Sequence, residues 1–503
     1  MKRLLALALA LCLLAGCSTQ GEYVPTGGGF IDGGDVPTQN QNETEQEIRL
    51  AYNQEEGFQP YTTTDTMNRS LISLLYQGLF SVNSEYEAIP ILCKNYRVSS
   101  DMRTYTFYLE KATFSDGDAV TAQDVVASLK ASQKKGYYAG RLSHAKSIDI
   151  TDDGGVKIKM DTPFSNLPLL LDIPIVKEEQ VSKPAPYGTG PYVLVDTGSG
   201  KSLRRQPAWW CSAELPINAR EITLCHGTEQ KELWDLYKFS GLSMVYTDSY
   251  VDFRGDYELW ESETGEFLYL SCNLHSGIFK NKEIRRTLTY AIDREQLVQD
   301  YFQGFARSAN LPASAAFPYY SDKLADKYAY NPSIFAQAVA DAQLEDNTVK
   351  LLVNGKDLLR RRVALALKSM LEAGGLAVTI TELTDEKYDE ALRWEEFDLF
   401  LGQTKLSPNM DLSAFFKEEG KLSVGGISSL AIQAMNQNAL ADPGNYQSLH
   451  QMVMDDGRLC PLVFRSYAVY GRRGVFNNLS PSRDNLFYYS LGKTLEEART
   501  IEE

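Results

Sequence analysis

Cysteine, histidine and closely spaced acids are the side chains that most readily do chemistry, and this chain uses them sparingly. Seven cysteines and four histidines are spread through 503 residues. His144, His226, His275 and His450 show no H-x-x-x-H spacing and no C-x-x-C pair occurs, so neither a structural nor a catalytic metal site is expected. Cys93, Cys211, Cys225, Cys272 and Cys460 are an odd set in a chain of this size. They read as buried free thiols rather than a disulfide scaffold, with Cys211 and Cys225 as one possible pair. Gly200-Lys201-Ser202 invites comparison with a phosphate loop, but Val195 stands where the first glycine is required. The stretch reads better as a hairpin turn. No G-x-S-x-G nucleophile elbow is present, and the acidic pairs Glu395-Glu396 and Glu418-Glu419 read as solvated. An enzyme is not expected, and no cofactor is implied.

Cys17 differs from the other cysteines because of what precedes it. Lys2 and Arg3 open the chain, and an apolar run extends from Leu4 to Leu14. That run is shorter than the roughly 20 residues needed to span a bilayer. It has the form of a secretory signal over residues 1–16. Leu14-Ala15-Gly16-Cys17 resembles the bacterial lipobox, which implies a diacylated thiol and a new N-terminus at Cys17. The alternative is a plain signal peptide with a chance cysteine. Several acyl chains hold a membrane far better than one, each buried CH₂ adding roughly 0.8 kcal/mol. No later segment is long and apolar enough to anchor the chain, so the lipid would be its hold on the membrane.

The body is acidic, with a formal charge of −16. This disfavours nucleic acid and anionic lipid surfaces as partners. Residues 17–46 carry Gly27-Gly28-Gly29, Gly33-Gly34 and a Gln/Asn/Glu-rich tract, and read as a disordered tether spanning roughly 30 Å. Alternation predicts a strand over 47–52 and another over 103–109, and apolar spacing predicts a helix over 68–79. In FSDGDAVTAQDVVASLK, residues 114–130, Asp116-Gly117 makes a turn, and Thr121 with Asp124 makes a capping box that opens a helix. A helix over 358–373, then Gly374-Gly375 and a strand over 377–382, form an α-turn-β unit. Pro461 to Phe464 reads as a buried strand.

The same stretch, 114–130, resembles the F-x-D-G-x-x-x-T-A-x-D-V-x-x-S signature of the bacterial family 5 extracellular solute-binding proteins, the oligopeptide- and dipeptide-binding components of ABC importers. Further blocks agree in order. Leu75-Tyr76-Gln77-Gly78-Leu79 is similar to the family's L-Y-E-G-L, and Gly188-Thr189-Gly190-Pro191-Tyr192 to its G-T-G-P-Y. Pro207-Ala208-Trp209-Trp210 stands at its N-P-x-Y-W run. Asn273, Ile284-Arg285-Arg286 and Tyr290-Ala291-Ile292-Asp293-Arg294 resemble its F-N and V-R-x-A-x-x-Y-A-I-D-R block. Most of these blocks read as fold determinants: TAQDV as a helix start, AIDRE as a helix end, GTGPY as a turn whose glycines adopt special backbone angles.

The resemblance implies an α/β, two-lobe periplasmic-binding-protein-like fold with a hinge, its N-terminal lobe carrying an extra subdomain at about 80–180. Lobe one would hold residues 47–262 plus 466–503, and lobe two 263–465, with crossings near Glu263-Thr264-Gly265 and after Phe464. It implies capture of a small solute, an oligopeptide above all, by a monomer on the extracytoplasmic face of the bacterial membrane (periplasm-facing in a Gram-negative cell), and delivery to an ABC permease. Position in the matched blocks makes Tyr76, Gln77, Tyr192, Asn273, Gln403, Lys405 and Arg465 the ligand-binding candidates. In peptide-binding members an aspartate in W-x-x-D-Y-x-x-P pairs with the ligand's α-ammonium. Here Gln403 falls near the Trp, and Lys405 or Leu406 near the Asp. Three accounts stay open: Asp411 serves instead, Lys405 pairs with an anion, or the contact is lost. A signal or partner receptor without transport, and import of a nickel chelate, haem, oligosaccharide or anionic solute, are the alternatives, with His275 the one histidine near a matched cleft position.

Overall fold

The computed structural model describes residues 47–502 apart from 199, 248–253 and 484. Cys17, the signal segment and the tether lie outside the described residues. No helix among those described is long and apolar enough to cross a membrane.

Three sheets organise the body. One has the order Ile48–Tyr52, Glu221–His226, Lys201–Arg205, Tyr192–Asp196, its first pair parallel. A second runs Arg499–Glu502, Cys93–Ser99, Thr104–Leu109, Val156–Met160, Ala145–Ile150. This second sheet occupies the stretch expected to form an extra subdomain. Its apolar residues Val98, Phe107 and Ile158 nevertheless belong to the same core as Ile48, Leu203 and Ile222 of the first. The third sheet places Met244–Thr247, Leu459–Arg472, Tyr257–Cys272, Leu399–Lys405, Thr348–Asn354 and Ala377–Leu383 side by side, with Ala306–Ser308 also on Leu459–Arg472.

Tyr257–Cys272 and Leu459–Arg472 are long strands, and each belongs to two surroundings. Tyr257–Glu263 pairs antiparallel with Ser466–Arg472, whose other neighbour is Met244–Thr247. Phe267–Ser271 pairs with Leu459–Phe464, and its other edge pairs with Leu399–Lys405. Between them the register shifts: Glu263 faces Ser466, Phe267 faces Phe464, and Thr264, Gly265 and Glu266 bulge opposite Arg465. Thr264 Oγ1 donates to the Arg465 carbonyl (2.9 Å) and accepts from Glu266 N (3.0 Å). The ladder that the bulge interrupts is thereby replaced by side-chain bonds. Below it, Leu268, Leu270, Leu351, Leu399 and Val463 form a separate core.

Local sequence accounts for most elements. Thr121 and Asp124 form the expected capping box, and Asp124 Oδ1 also accepts from Glu178 N (2.8 Å). The helix Leu358–Ala373 and the strand Ala377–Leu383 fall where periodicity placed them, and that strand pairs parallel with Thr348–Asn354. Three readings need correction. The helix expected over 68–79 is Thr66–Leu75, capped by Asp65. It ends because Gln77 O accepts from Ile175 N and Gly78 lies against Leu171, where a Cβ would come within 2.8 Å of that carbonyl oxygen. AIDRE is a helix start: Asp293 caps Arg294–Tyr301, and Arg294 is buried, bonded to the Pro461 and Thr289 carbonyls. Gly188 and Gly190 do not have positive φ. They are required by proximity, since Cβ atoms there would stand 2.2 Å from Leu75 O and 2.5 Å from Leu74 O.

Cys211 and Cys225 do not pair, and all five cysteines among the described residues are free. Burial pushes the Cys93, Cys272 and Cys460 thiols up, and Cys211 to about 12, so they are poor nucleophiles.

The halves also meet away from the long strands. His144 Nε2 lies 3.2 Å from Asp411 Oδ2 and its Nδ1 3.5 Å from Asp161 Oδ1, while Ser165 N donates to Leu440 O (2.8 Å). Burial lowers the His144 pKa, but bonds and charge from Asp411, then Asp161, outweigh it and leave it raised. Asp411 is held below the usual carboxylate range: burial raises it, and His144, Asn436 and Ser413 more than offset that.

A raised histidine contributes stability in full below its unfolded pKa of about 6.5 and loses it as pH climbs through the folded value. A depressed aspartate loses its contribution as pH falls below about 4. Thermal melts of His144→Gln should therefore show a larger deficit against the parent at pH 5.5 than at pH 9, and an equal deficit at both would show that the ion pair contributes nothing. At the bulge, Gly265 has φ +74° and a Cβ would come within 2.6 Å of Arg483 Nη1. Gly265→Ala should cost about 1–2 kcal/mol from backbone strain alone, read by urea denaturation.

Candidate functional site

A cavity of about 100 Å³ opens between the Thr66–Leu75 helix, the Gly78–Val82 segment and the loop at Ser482–Asn485. Tyr76 and Gln77 line it, with Arg69, Tyr138, Asp172 and Arg483 supplying its charged and aromatic wall. Lys405 and Leu406, at the end of a strand of the third sheet, reach this wall. Arg483 Nη2 donates to Leu406 O (2.8 Å), and Lys405 Nζ lies 5.2 Å over the Tyr137 ring. Every described lining residue belongs to 47–262 or 466–503, and the second half reaches the wall through Leu406 O on Arg483.

Three sequence blocks build its floor. Trp209 Nε1 donates to Thr189 O (2.8 Å), Trp210 Nε1 to Gln77 Oε1 (2.8 Å), and Gln77 Nε2 to Tyr489 OH (2.7 Å). Gln77 therefore spends both ends of its amide on holding the floor together. Tyr76 donates its hydroxyl to Phe58 O (3.0 Å), and burial raises its pKa.

The other candidates divide. Gln403, Lys405 and Arg465 come together beside the bulge: Arg465 Nη1 donates to Gln403 Oε1 (2.9 Å), and Gln403 Nε2 to Glu266 Oε2 (3.1 Å). Lys405 pairs in register with Glu266. Withdrawal from solvent, then the charge of Arg483, pulls the Lys405 pKa well below its ordinary value; Glu266 opposes this, and Arg69 and Arg141 add to it. Tyr192 and Asn273 lie elsewhere, each in a core. The Tyr192 hydroxyl donates to Ala219 O (2.8 Å). Asn273 Nδ2 donates to Phe397 O (2.9 Å) and Glu395 O (3.1 Å), and its Oδ1 accepts from His275 N (2.9 Å). Asp411 spends its carboxylate on His144, Asn436 Nδ2 (2.8 Å) and Ser413 N (2.8 Å). His275 is exposed beside Glu395, at 2.7 Å.

Sequence reasoning missed Arg69, Arg141, Asp172 and Arg483. Arg69 stacks on Tyr137, 3.2 Å from guanidinium to ring centroid, and lies 5.5 Å over Tyr138. Arg141 is ion-paired with Asp172 and lies 5.3 Å over Tyr138; Arg483 lies 5.5 Å over Tyr86. A planar cation with an aromatic face below it keeps its edge donors free to recognise a planar or tetrahedral oxyanion. Arg69 carried no usable signal, because its helix is buried nearly all round and charge and apolar residues alternate on no single face. Arg483 sits in a loop at φ +52°, far along the chain from its neighbours.

Comparison with known proteins places these features in context. A glutathione-binding protein, GsiB, of Salmonella choleraesuis is 28% identical over 279 residues, covering 51% of this chain and 54% of that protein. The chain thus matches about half the length of its curated relatives. Among solved structures, the ABC transporter substrate-binding protein CtaP of Listeria monocytogenes superposes with a TM-score of 0.74 at 15% identity, covering 88% of this chain and 97% of that one. The oligopeptide-binding protein AppA of Bacillus subtilis, in complex with a nonapeptide, gives 0.65 at 18% identity, covering 89% and 99%. At such identities these structures share the fold, two α/β lobes joined by strands. Residues 87–420 match the model of the bacterial extracellular solute-binding proteins, family 5, and the chain belongs to that family.

Proposed function

We propose that this protein captures a small solute, an oligopeptide or a molecule built like one, outside the cytoplasm and hands it to an ABC permease, with acyl chains on Cys17 holding it to the membrane. The observation that carries the reading is a pair of long strands that joins two bodies and whose pairing is interrupted at Thr264–Glu266, beside a cavity whose Arg483 is bonded to Leu406 of the other body. Two stiff bodies joined by an interrupted ladder can rotate about it, and closure over a ligand is the usual use of that geometry. We assign the lobes as 47–262 with 466–503, and 263–465, and two packing observations support the return of the last segment to the first lobe. Residues 466–472 lie beside Met244–Thr247, and Phe476, Leu486 and Phe487 pack in the first core. The family and the glutathione-binding and nonapeptide-bound relatives support a peptide-like cargo. The family and the glutathione-binding relative are named for binding, which supports binding as the reading.

Native mass spectrometry of the full-length chain, released gently from detergent, should show a bound molecule of a few hundred daltons that denaturation removes. A chain that arrives empty, binds nothing from a peptide mixture and keeps its radius of gyration throughout would end the capture reading. Labelled palmitate should enter the chain in a bacterial host and fail to enter Cys17→Ala. Incorporation into both forms would remove the anchor while leaving capture intact.

A further inference from the structure

We propose that the cavity is an oxyanion pocket and that the cargo is acidic, presenting a carboxylate or other compact oxyanion to Arg69 and Arg483. This rests on the capture reading above and names the chemistry that capture selects.

Arg69 and Arg483 are each only 6% exposed. Arg69 Nη1 donates to Thr63 O (3.3 Å) and Nη2 to Tyr138 OH (3.4 Å), and Arg483 Nη2 to Leu406 O. Arg69 Nε and Arg483 Nη1 are buried and have no hydrogen-bond acceptor. Guanidinium groups have no acceptor capacity of their own, so two arginines that line one cavity and each leave a buried donor unmet call for an acceptor from outside the chain. A carboxylate or phosphate supplies several lone pairs in one rigid group, which is the geometry a guanidinium edge meets best.

The charge around the cavity points the same way. Arg69, Arg141, Arg483 and Lys405 act on one another electrostatically. Asp172, the one acid on the described cavity wall, is ion-paired with Arg141. Glu266 is bonded to Gln403, and Glu263 accepts from Tyr86 and from Ser314 Oγ (2.9 Å). Burial moves Glu263 toward its neutral form, against those donors and the charges of Arg483 and Arg307. Arg69, Arg141 and Arg483, with Lys405 drawn toward its neutral form, thus stand beside three carboxylates that are each already engaged, inside a protein whose overall charge is −16. An acidic body with a cationic pocket repels anions weakly at long range and holds them at one place. The volume, about 100 Å³, admits a carboxylate on a short stem and excludes a whole tripeptide. The rest of the solute would lie between the halves, where Lys405 stands in place of an acid that would hold an ammonium.

Calorimetry on the full-length chain in detergent tests this with tri-glutamate, tri-alanine, tri-lysine and sodium phosphate as the probes. Tri-glutamate should bind at least about tenfold tighter than tri-alanine, with tri-lysine weakest. Arg69→Gln and Arg483→Gln should each weaken tri-glutamate about tenfold while moving tri-alanine less than about threefold. Lys405→Gln, at a half-buried position, should lower the same preference and covers the case in which an arginine variant fails to fold, its own folding checked by circular dichroism. Phosphate that competes with tri-glutamate assigns the pocket to oxyanions generally; phosphate that does not, while tri-glutamate binds, assigns it to a peptide carboxylate. Tri-lysine binding as tightly as tri-glutamate, or folded variants that keep the parent's preference, would overturn the proposal. Tri-alanine binding alone would overturn it and leave capture standing, whereas a chain that neither binds any probe nor carries a native ligand fails on both counts.

Discussion

Backbone hydrogen bonding between two long antiparallel strands is the constraint from which the rest of this structure follows. A strand buried on both edges must find a partner for every amide and carbonyl, and Tyr257–Cys272 and Leu459–Arg472 pair with each other except where Thr264, Gly265 and Glu266 bulge and where the register shifts again between Leu268 and Tyr269. The bulge at Thr264–Glu266 sets the positions of the groups around it. Glu266 is turned toward Gln403 and Lys405, the Arg465 carbonyl is satisfied by a threonine hydroxyl, and the absent side chain of Gly265 leaves room for the Arg483 guanidinium. The junction between the halves is built from what the interrupted ladder leaves unpaired.

Buried arginine is expensive unless its charge is shared and its donors are used. Arg294 and Arg285 meet that condition with main-chain carbonyls: Arg294 with Pro461 and Thr289, Arg285 with Phe279 (2.8 Å). They serve the second core. Arg69 and Arg483 meet it only in part, leaning on tyrosine faces instead of a full set of acceptors. The contrast within one chain separates arginines whose donors are met by main-chain carbonyls from arginines that keep a buried donor unmet.

The fold was far more legible in the sequence than the site. Helix 358–373, the capping box at Thr121 and the strand at 48–52 depend on neighbours a few residues away, so periodicity and turn chemistry reach them. The LYQGL, GTGPY and AWW blocks were legible as blocks. Their meaning was not, because it is contact across the chain: glycines packed on the end of a helix, indoles bonded to Thr189 and Gln77. Tyr192 and Asn273 were chosen by position in such blocks, and both turn out to spend their polar atoms on main-chain groups. Lys405 was visible because it replaced an expected acid. Its partners in charge, Arg69, Arg141 and Arg483, are separated by up to several hundred residues, and only tertiary packing brings them to one wall.

The order of strands along the polypeptide also bears on how this molecule comes to exist. Residues 466–472 and 499–502 complete sheets begun by Met244–Thr247 and Cys93–Ser99, so the earlier half is synthesised long before its last strands. Until that stretch is made, the chain has open sheet edges and a core that lacks Phe476, Phe487 and Ala498. Stable burial waits for the final stretch, so the first half cannot complete its sheets while synthesis is under way.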